Sequence, residues 1–243
     1  MSAAQKLSVV YDRWHGCTRC GLHTTRQNPN IFFGGGHPDT TKYLIICNAP
    51  TADDEDLEVV FAGRAALLLL ESLESVGIEL SDCYFTYAVS CRPKVFIPAT
   101  DTEKERIEDR APSRDEMAAC RPRLYEIIYQ VDPRAIITVG EWATKTVVRG
   151  RLPKFLEVVG QQYTCVLPAA DPEDHTEGKL IEGKSRYHDI KYPVFAAPDT
   201  AAILINTSSA KHGPHNILLK TLARARRLVE FTLNAEAKSL ESL

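Results

Sequence analysis

Four of the seven cysteines in this 243-residue chain constrain its path more than any other feature. Cys17 and Cys20 form a Cys-x-x-Cys pair near the start, and Cys91 and Cys120 follow far downstream, each leading an Arg-Pro dipeptide. A site with four thiolate ligands needs distant segments to return to one point, and this layout permits that return. By spacing alone, several readings stay open: a four-thiolate metal or cluster site, half of a zinc site, or a redox pair. The separation of Cys91 from Cys120 is too wide for a zinc knuckle. Disulfides are the competing use, but the opening residues lack the long apolar core of a secretory signal, which favours a reducing, cytoplasmic setting. Cys47, Cys83 and Cys165 lie in apolar, strand-like stretches and read as buried core thiols.

A hydrophobic content of 44% over this length supports a substantial core, read here as a single domain over 1–243. No apolar run is long enough to span a membrane. A net charge of −3 argues against non-specific coating of DNA, although Arg224, Arg226 and Arg227 make a local basic face. Nothing in the residues specifies a protein partner. Along the chain, apolar runs alternate with helical patterns. Tyr43–Ile46, Tyr84–Val89, Ala135–Val139 and Val194–Ala196 read as strands; Gly63–Val76, a segment from Ser113 to Val131, one after Gly140 and one from Asn216 to about Ala235 read as helices. Ser113 and Glu116 form a capping box, in which the serine satisfies a free amide and the glutamate reaches back. Such alternation favours a parallel sheet covered on both faces, with ligands collecting in the loops after Ile46, Val89 and Ala196. A charged insert (95–112) and a polar stretch (170–190) break the pattern and read as solvated loops, with a binding loop or lid as the second reading.

The segments CNAPTADDED, VFAGRAALLLL, YFTYAVSCRP, APSRDEMAACRPRL and DPRAIITVGEWA, following the Cys-x-x-Cys pair in that order, resemble the iron–sulfur uracil-DNA glycosylases. The likeness is to the thermophile-type family four and to related X-type enzymes that crosslink to DNA. It implies a three-layer αβα fold with a central, mainly parallel four-stranded sheet. It implies a [4Fe–4S] cluster on Cys17, Cys20, Cys91 and Cys120, and single- or double-stranded DNA as partner. It also implies an activity that flips a base out of DNA and cuts its N-glycosidic bond.

The departures from the family pattern fall on the chemistry. Where the family has Gly-Glu-x-Pro-Gly, this chain has Cys47-Asn48-Ala49-Pro50-Thr51, and an amide at Asn48 orients water without accepting its proton. Asp53 or Asp54 could substitute, the bland reading being a solvated acidic run. Phe61 matches the aromatic that stacks on a flipped base, with a core phenylalanine as the alternative. Tyr87 stands where the resemblance implies a uracil-reading asparagine, so the amide's donor–acceptor pair is gone. Ala197-Pro198-Asp199 replaces the His-Pro-Ser type of motif, putting Ala197 at the position of the imidazole that stabilises the departing base. His212 or His215 could reach back, or mark a helix start or phosphate contact. Lys104, Arg106, Lys211, His212 and His215 are the DNA-contact candidates. X-type enzymes place a nucleophilic histidine in a basic loop before the capping box; here Glu108 and Asp109 fall nearest. Two classes of function therefore stand: a diverged glycosylase-type hydrolase acting on a base other than uracil, with Asn48, Asp53 or Asp54 handling water, and a glycosylase-fold module that binds DNA or a partner without catalysis.

Overall fold

The computed structural model describes residues 1–100, 103–148, 152–167, 190–205 and 213–241. In chain order these comprise α1 (Ala3–Trp14), β1 (Gly35–Gly36), β2 (Tyr43–Cys47), α2 (Ala52–Leu57), α3 (Gly63–Ser75), β3 (Cys83–Tyr87), β4 (Lys94–Ile97), β5 (Arg106–Asp109), α4 (Arg114–Val131), β6 (Ala135–Val139), α5 (Glu141–Val147), α6 (Phe155–Val158), β7 (Gln162–Leu167), β8 (Ile190–Ala197), α7 (Thr200–Ile205) and α8 (Pro214–Glu241). Four strands run parallel in the order β3-β2-β6-β8, with β1 and β7 added antiparallel at the two edges, so the described sheet has six strands where four were expected. The expected four are its parallel centre. The two additions escaped the pattern because β1 is a pair of glycines and β7 alternates too weakly to read as a buried strand.

The period-2 alternation of the central strands divides their side chains between two cores. Leu44, Ile46 and Ile136 face a layer with Leu7, Trp14, Leu124, Ile128 and Val147 from α1, α4 and α5. Tyr43, Ile45, Ile137 and Val139 face the opposite layer, with Leu69, Leu73, Ile203, Leu218 and Leu222 from α3, α7 and α8. A sheet so covered is the three-layer αβα arrangement. Because every connection within the parallel set returns the chain to the same edge, the carboxyl ends of β2, β3, β6 and β8 open together, and the loops leaving them meet.

Local signals hold where they were strong. Ser113 caps α4 with the reciprocal Glu116 bond, and Gly77, at a positive φ of 77°, follows the end of α3. Two expectations change. The acidic run after Pro50 is not an open loop: Thr51 caps α2 and Asp54 reaches back to it, so the acids occupy a helix first turn, where the partial positive charge of free amides favours them. The front of the charged insert is not a loose loop either. β4 and β5 pair as an antiparallel hairpin, Lys94 opposite Asp109 and Ile97 opposite Arg106. Its root is held by ion pairs around a buried carboxylate: Glu55, 3% exposed, accepts from Arg92 and Lys94, and Arg92 also donates to the exposed Asp109. The polar stretch at 170–190 lies almost wholly outside the described residues. Among the described residues, no helix is long and apolar enough to cross a membrane.

Candidate active site

A cavity of about 280 Å³ opens at the carboxyl ends of the parallel strands. Cys47 and Asn48 line it from the end of β2, Tyr87 from β3, Val139 and Trp142 from β6 and α5, and Asp199 from the loop after β8. Thr51, Asp54 and Phe61 close one side, and Pro93, Asp109 and Arg110 at the hairpin root close another. Ligand cavities commonly start at about 300 Å³, so this one suits a single small ring system.

Its polar centre is an amide–carboxylate pair. Asn48 Oδ1 accepts from the backbone N–H groups of Trp142 and Ala143 at 3.0 and 2.9 Å, the first turn of α5. Those two donors fix which end of the amide is oxygen, so Nδ2 points at Asp199 and donates to its Oδ2 at 2.6 Å. Asp199 Oδ1 accepts from the Ala201 N–H at 2.8 Å. Burial raises the Asp199 pKa above the ordinary aspartate value, opposed by the Ala201, Ala202 and Asn48 donors. Gly140, just before α5, has a φ of 99°, and a side chain there would collide with the Asn48 amide. The glycine therefore leaves room for the pair.

A second network supports the aromatic wall. Phe61 has a φ of 59°, a left-handed conformation unusual for an aromatic residue. Two bonds around it enforce that backbone: its N–H donates to Tyr87 Oη at 2.8 Å, and the following N–H, of Ala62, donates to Asp54 Oδ1 at 2.9 Å. Tyr87 Oη in turn donates to Asp54 Oδ1 at 2.9 Å, while Asp54 Oδ2 accepts from the Thr51 N–H and hydroxyl. The rings of Phe61 and Tyr87 lie parallel within 4°, centroids 4.6 Å apart. Burial, then the Asp54 charge, pushes the Tyr87 phenol far above its usual range, so it stays protonated.

The candidates from the sequence separate on this geometry. Asn48, Phe61, Tyr87 and Asp54 meet at the cavity. Asp54 is 2% exposed and spends both oxygens on four protein donors, so it braces the Thr51–Ala62 loop and has no free lone pair aimed at water. Asp53 is exposed, does not line the cavity and lies against Gly63 at the start of α3. Ala197 is fully buried, with its carbonyl accepting from Gly140; two residues on, Asp199 takes the cavity position. Lys104 and Arg106 sit on the hairpin, Arg106 held by Glu103 and Glu108; His215 is exposed at the start of α8. Lys211 and His212 lie outside the described residues. Cys47 lines the cavity instead of serving only as core, and burial beside Asp199 and Asp54 raises its pKa well above normal, a poor setting for a nucleophilic thiolate.

Away from the cavity the four singled-out thiols share one neighbourhood. Cys91 and Cys120 are buried in the α1–α4 core layer, and Cys17 and Cys20 pack against it. The Arg26 guanidinium donates to the Cys17 carbonyl at 2.9 Å and lies 4.0 Å from Cys91 Sγ. Arg123, one turn after Cys120 and 1% exposed, donates to the Thr86 hydroxyl and the Phe33 and Tyr87 carbonyls. Three buried donor atoms on residues within three positions of Cys91 or Cys120, Ser90 Oγ, Arg121 Nε and Arg123 Nε, have no partner among the described residues. Cationic and unpaired donors around four sulfurs fit an anionic thiolate-bound group. Among the described residues, no group of three or more His, Cys, Asp and Glu side chains is arranged to hold a single metal ion.

Residues 33–222 match the model of the uracil DNA glycosylase superfamily. The chain belongs to that superfamily. Curated relatives named type-4 uracil-DNA glycosylase include proteins from Thermotoga maritima (30% identical over 154 residues, 63% of this chain and 72% of the relative) and Pyrobaculum aerophilum (29% over 160 residues, 65% and 74%). A third, from Sulfurisphaera tokodaii, is 28% identical over 209 residues, 84% of this chain and 79% of the relative. Several cavity residues of this superfamily member were not among the candidates from the sequence, and Asp199 and Trp142 are the two that bear on its chemistry. A signal for Asp199 existed: it follows an apolar strand whose carboxyl end was already expected to face ligand, and it is the only acid in its segment. Trp142 carried no such signal, since an aromatic early in a helix reads equally well as core.

Proposed function

We propose that this protein is a glycosylase-type hydrolase of DNA that receives a flipped, non-standard base and cuts its N-glycosidic bond with Asp199 as general base. The observation that carries the reading is the Asn48–Asp199 pair: a carboxylate, desolvated and held at 2.6 Å by an amide of fixed orientation, inside a base-sized cavity. Water attacks C1′ and its proton passes to Asp199; the C1′–N bond breaks, its electron pair leaves with the base, and the base takes up a proton. Raised basicity suits Asp199 to that task at neutral pH. Asn48 positions the carboxylate, Trp142 offers an aromatic wall, and the Asp54 bracket keeps Phe61 and Tyr87 in place. Cys17, Cys20, Cys91 and Cys120 would hold a [4Fe–4S] cluster, whose part is to tie the N-terminal segment, the root of the hairpin and α4 together beneath the cavity. The unpaired donors at Ser90, Arg121 and Arg123 support an anionic group there. Uracil excision is the weakest form of the reading, because the acid, the amide and the imidazole of the family pattern are all replaced.

The test is incubation of anaerobically purified, iron-quantified protein with labelled oligonucleotides carrying uracil, hypoxanthine, xanthine, hydroxymethyluracil and other altered pyrimidines, with abasic sites and covalent adducts both scored. Abasic product from one of the altered bases, lost in Asp199→Asn, is expected. Salt-dependent DNA binding with no product across the panel would replace the hydrolase with a DNA-reading module.

A further inference from the structure

We infer that Tyr87 is a built-in occupant of the base-stacking slot: its ring lies where an incoming base would stack on Phe61, and it excludes from that slot the bases the slot would otherwise read. This deepens the glycosylase reading and rests on it. Three observations carry it. The Tyr87 ring is parallel to Phe61 within 4° at a centroid distance of 4.6 Å, the offset-stacked geometry a nucleobase would adopt. Its hydroxyl consumes both members of a donor–acceptor pair, accepting from the Phe61 N–H at 2.8 Å and donating to Asp54 Oδ1 at 2.9 Å. The ring is 2% exposed yet borders the cavity, so it is filling, and no flexible lid.

Without the phenol, an amide N–H and a carboxylate oxygen would stand side by side at the edge of an aromatic face. That set matches the edge of a six-membered base on which a carbonyl or ring-nitrogen acceptor adjoins an N–H donor, as the O4 and N3–H of uracil do. In the native chain the same polar groups are satisfied internally. A base entering the remaining cavity meets the side of the Phe61–Tyr87 pair, Trp142 and the Asn48–Asp199 pair instead. Selectivity against ordinary pyrimidines then follows from occupancy, because rejecting a ring that has no slot costs more than rejecting one that lacks a hydrogen bond.

The test uses binding of the free base, so it does not depend on catalysis or on the native substrate. Uracil titrated by calorimetry or ligand-observed NMR into the full-length, iron-loaded protein is expected to bind Tyr87→Ala at least tenfold more tightly than wild type. Tyr87→Phe, which keeps the ring and loses the hydroxyl, is expected to bind no better than wild type. Equal, negligible binding to wild type and to a folded Tyr87→Ala overturns the proposal, as does a gain in Tyr87→Phe equal to that in Tyr87→Ala. If Tyr87→Ala does not fold, Tyr87→Asn, which keeps a polar partner for Asp54, is read in its place. In wild type, saturating uracil should leave the Phe61 ring resonances unmoved, and a shift there also overturns the proposal. A hydrolase that fails on every altered base while Tyr87→Ala gains uracil binding would sink the proposed reaction and leave this inference standing.

Discussion

The thiol quartet and the cavity sit at opposite ends of one short path, the run from Tyr87 at the end of β3 to Cys91, yet they relate differently to the pattern the resemblance implies. On the thiol side, Cys17, Cys20, Cys91 and Cys120 stand at the positions the family pattern implies and gather in one core layer. On the cavity side the polar groups differ from those the resemblance implies: an amide at Asn48, a phenol at Tyr87, and a carboxylate, Asp199, that enters from the loop after β8. The difference teaches that scaffold and chemistry are separable here. Cys91 and Cys120 are buried in a core layer and Cys17 and Cys20 pack against it, so a change there is felt through packing; a cavity wall can exchange side chains as long as each new polar group finds a partner.

The largest effect that would break the comparison is at the thiols. Cys120→Ala is expected to abolish soluble, iron-containing protein, read as yield, iron content and the loss of a cooperative melt; a soluble, fully folded, iron-free variant would show that the quartet is not the scaffold. Next comes Asp199→Asn, expected to lower base release by about 10²- to 10⁴-fold with the melt little changed, since general-base groups contribute on that order. A fall in melting temperature comparable to that of a core deletion would move Asp199 to the scaffold side.

Glu55→Ala tests the hairpin root that walls the cavity. It leaves Arg92 and Lys94 without their buried partner and is expected to cost about 3–5 kcal/mol in urea unfolding, the usual result of stranding a buried charge. Asn48→Ala is the mildest and the sharpest. Losing the cap on α5 is expected to cost about 1 kcal/mol of stability. The pH dependence gives it a second readout. Asp199 has a raised folded pKa, so between the ordinary aspartate value and that raised value the folded state holds a proton the unfolded chain has released; stability therefore falls as pH rises through that window. Asp199→Asn should lose this fall in a pH series of thermal melts. Activity, needing the ionised form, should rise over the same window, and Asn48→Ala, lacking the donor that lowers the pKa, should shift the rise to higher pH.

Much of the frame was legible in the residues. The apolar runs at Tyr43, Ala135 and Val194 and the capping box at Ser113 announce their elements because burial and end-capping are local demands. The hairpin was not legible, since all of β5 is exposed and its pairing depends on the register opposite Lys94–Ile97. At the site, the sequence pointed to Asn48, Phe61 and Tyr87 through the family pattern. It could not reveal that Asp54 is a brace, because a run of four acidic residues at 53–56 carries no mark that Asp54 and Glu55 are the two that turn inward. Nor could it reveal the Asn48–Asp199 contact, which joins residues 151 positions apart.

Arg123 gives the two regions a common beam. It starts one turn beyond Cys120 on α4 and ends on the Tyr87 carbonyl, at the residue whose ring fills the Phe61 slot. The side chain is buried along its length and its head is held by three acceptors, so a displacement of the α4 backbone near Cys120 is passed on to the tip of β3. Damage to the thiol end, by oxidation or loss of what the sulfurs bind, would therefore be felt as a misaligned pocket wall before the sheet itself gives way.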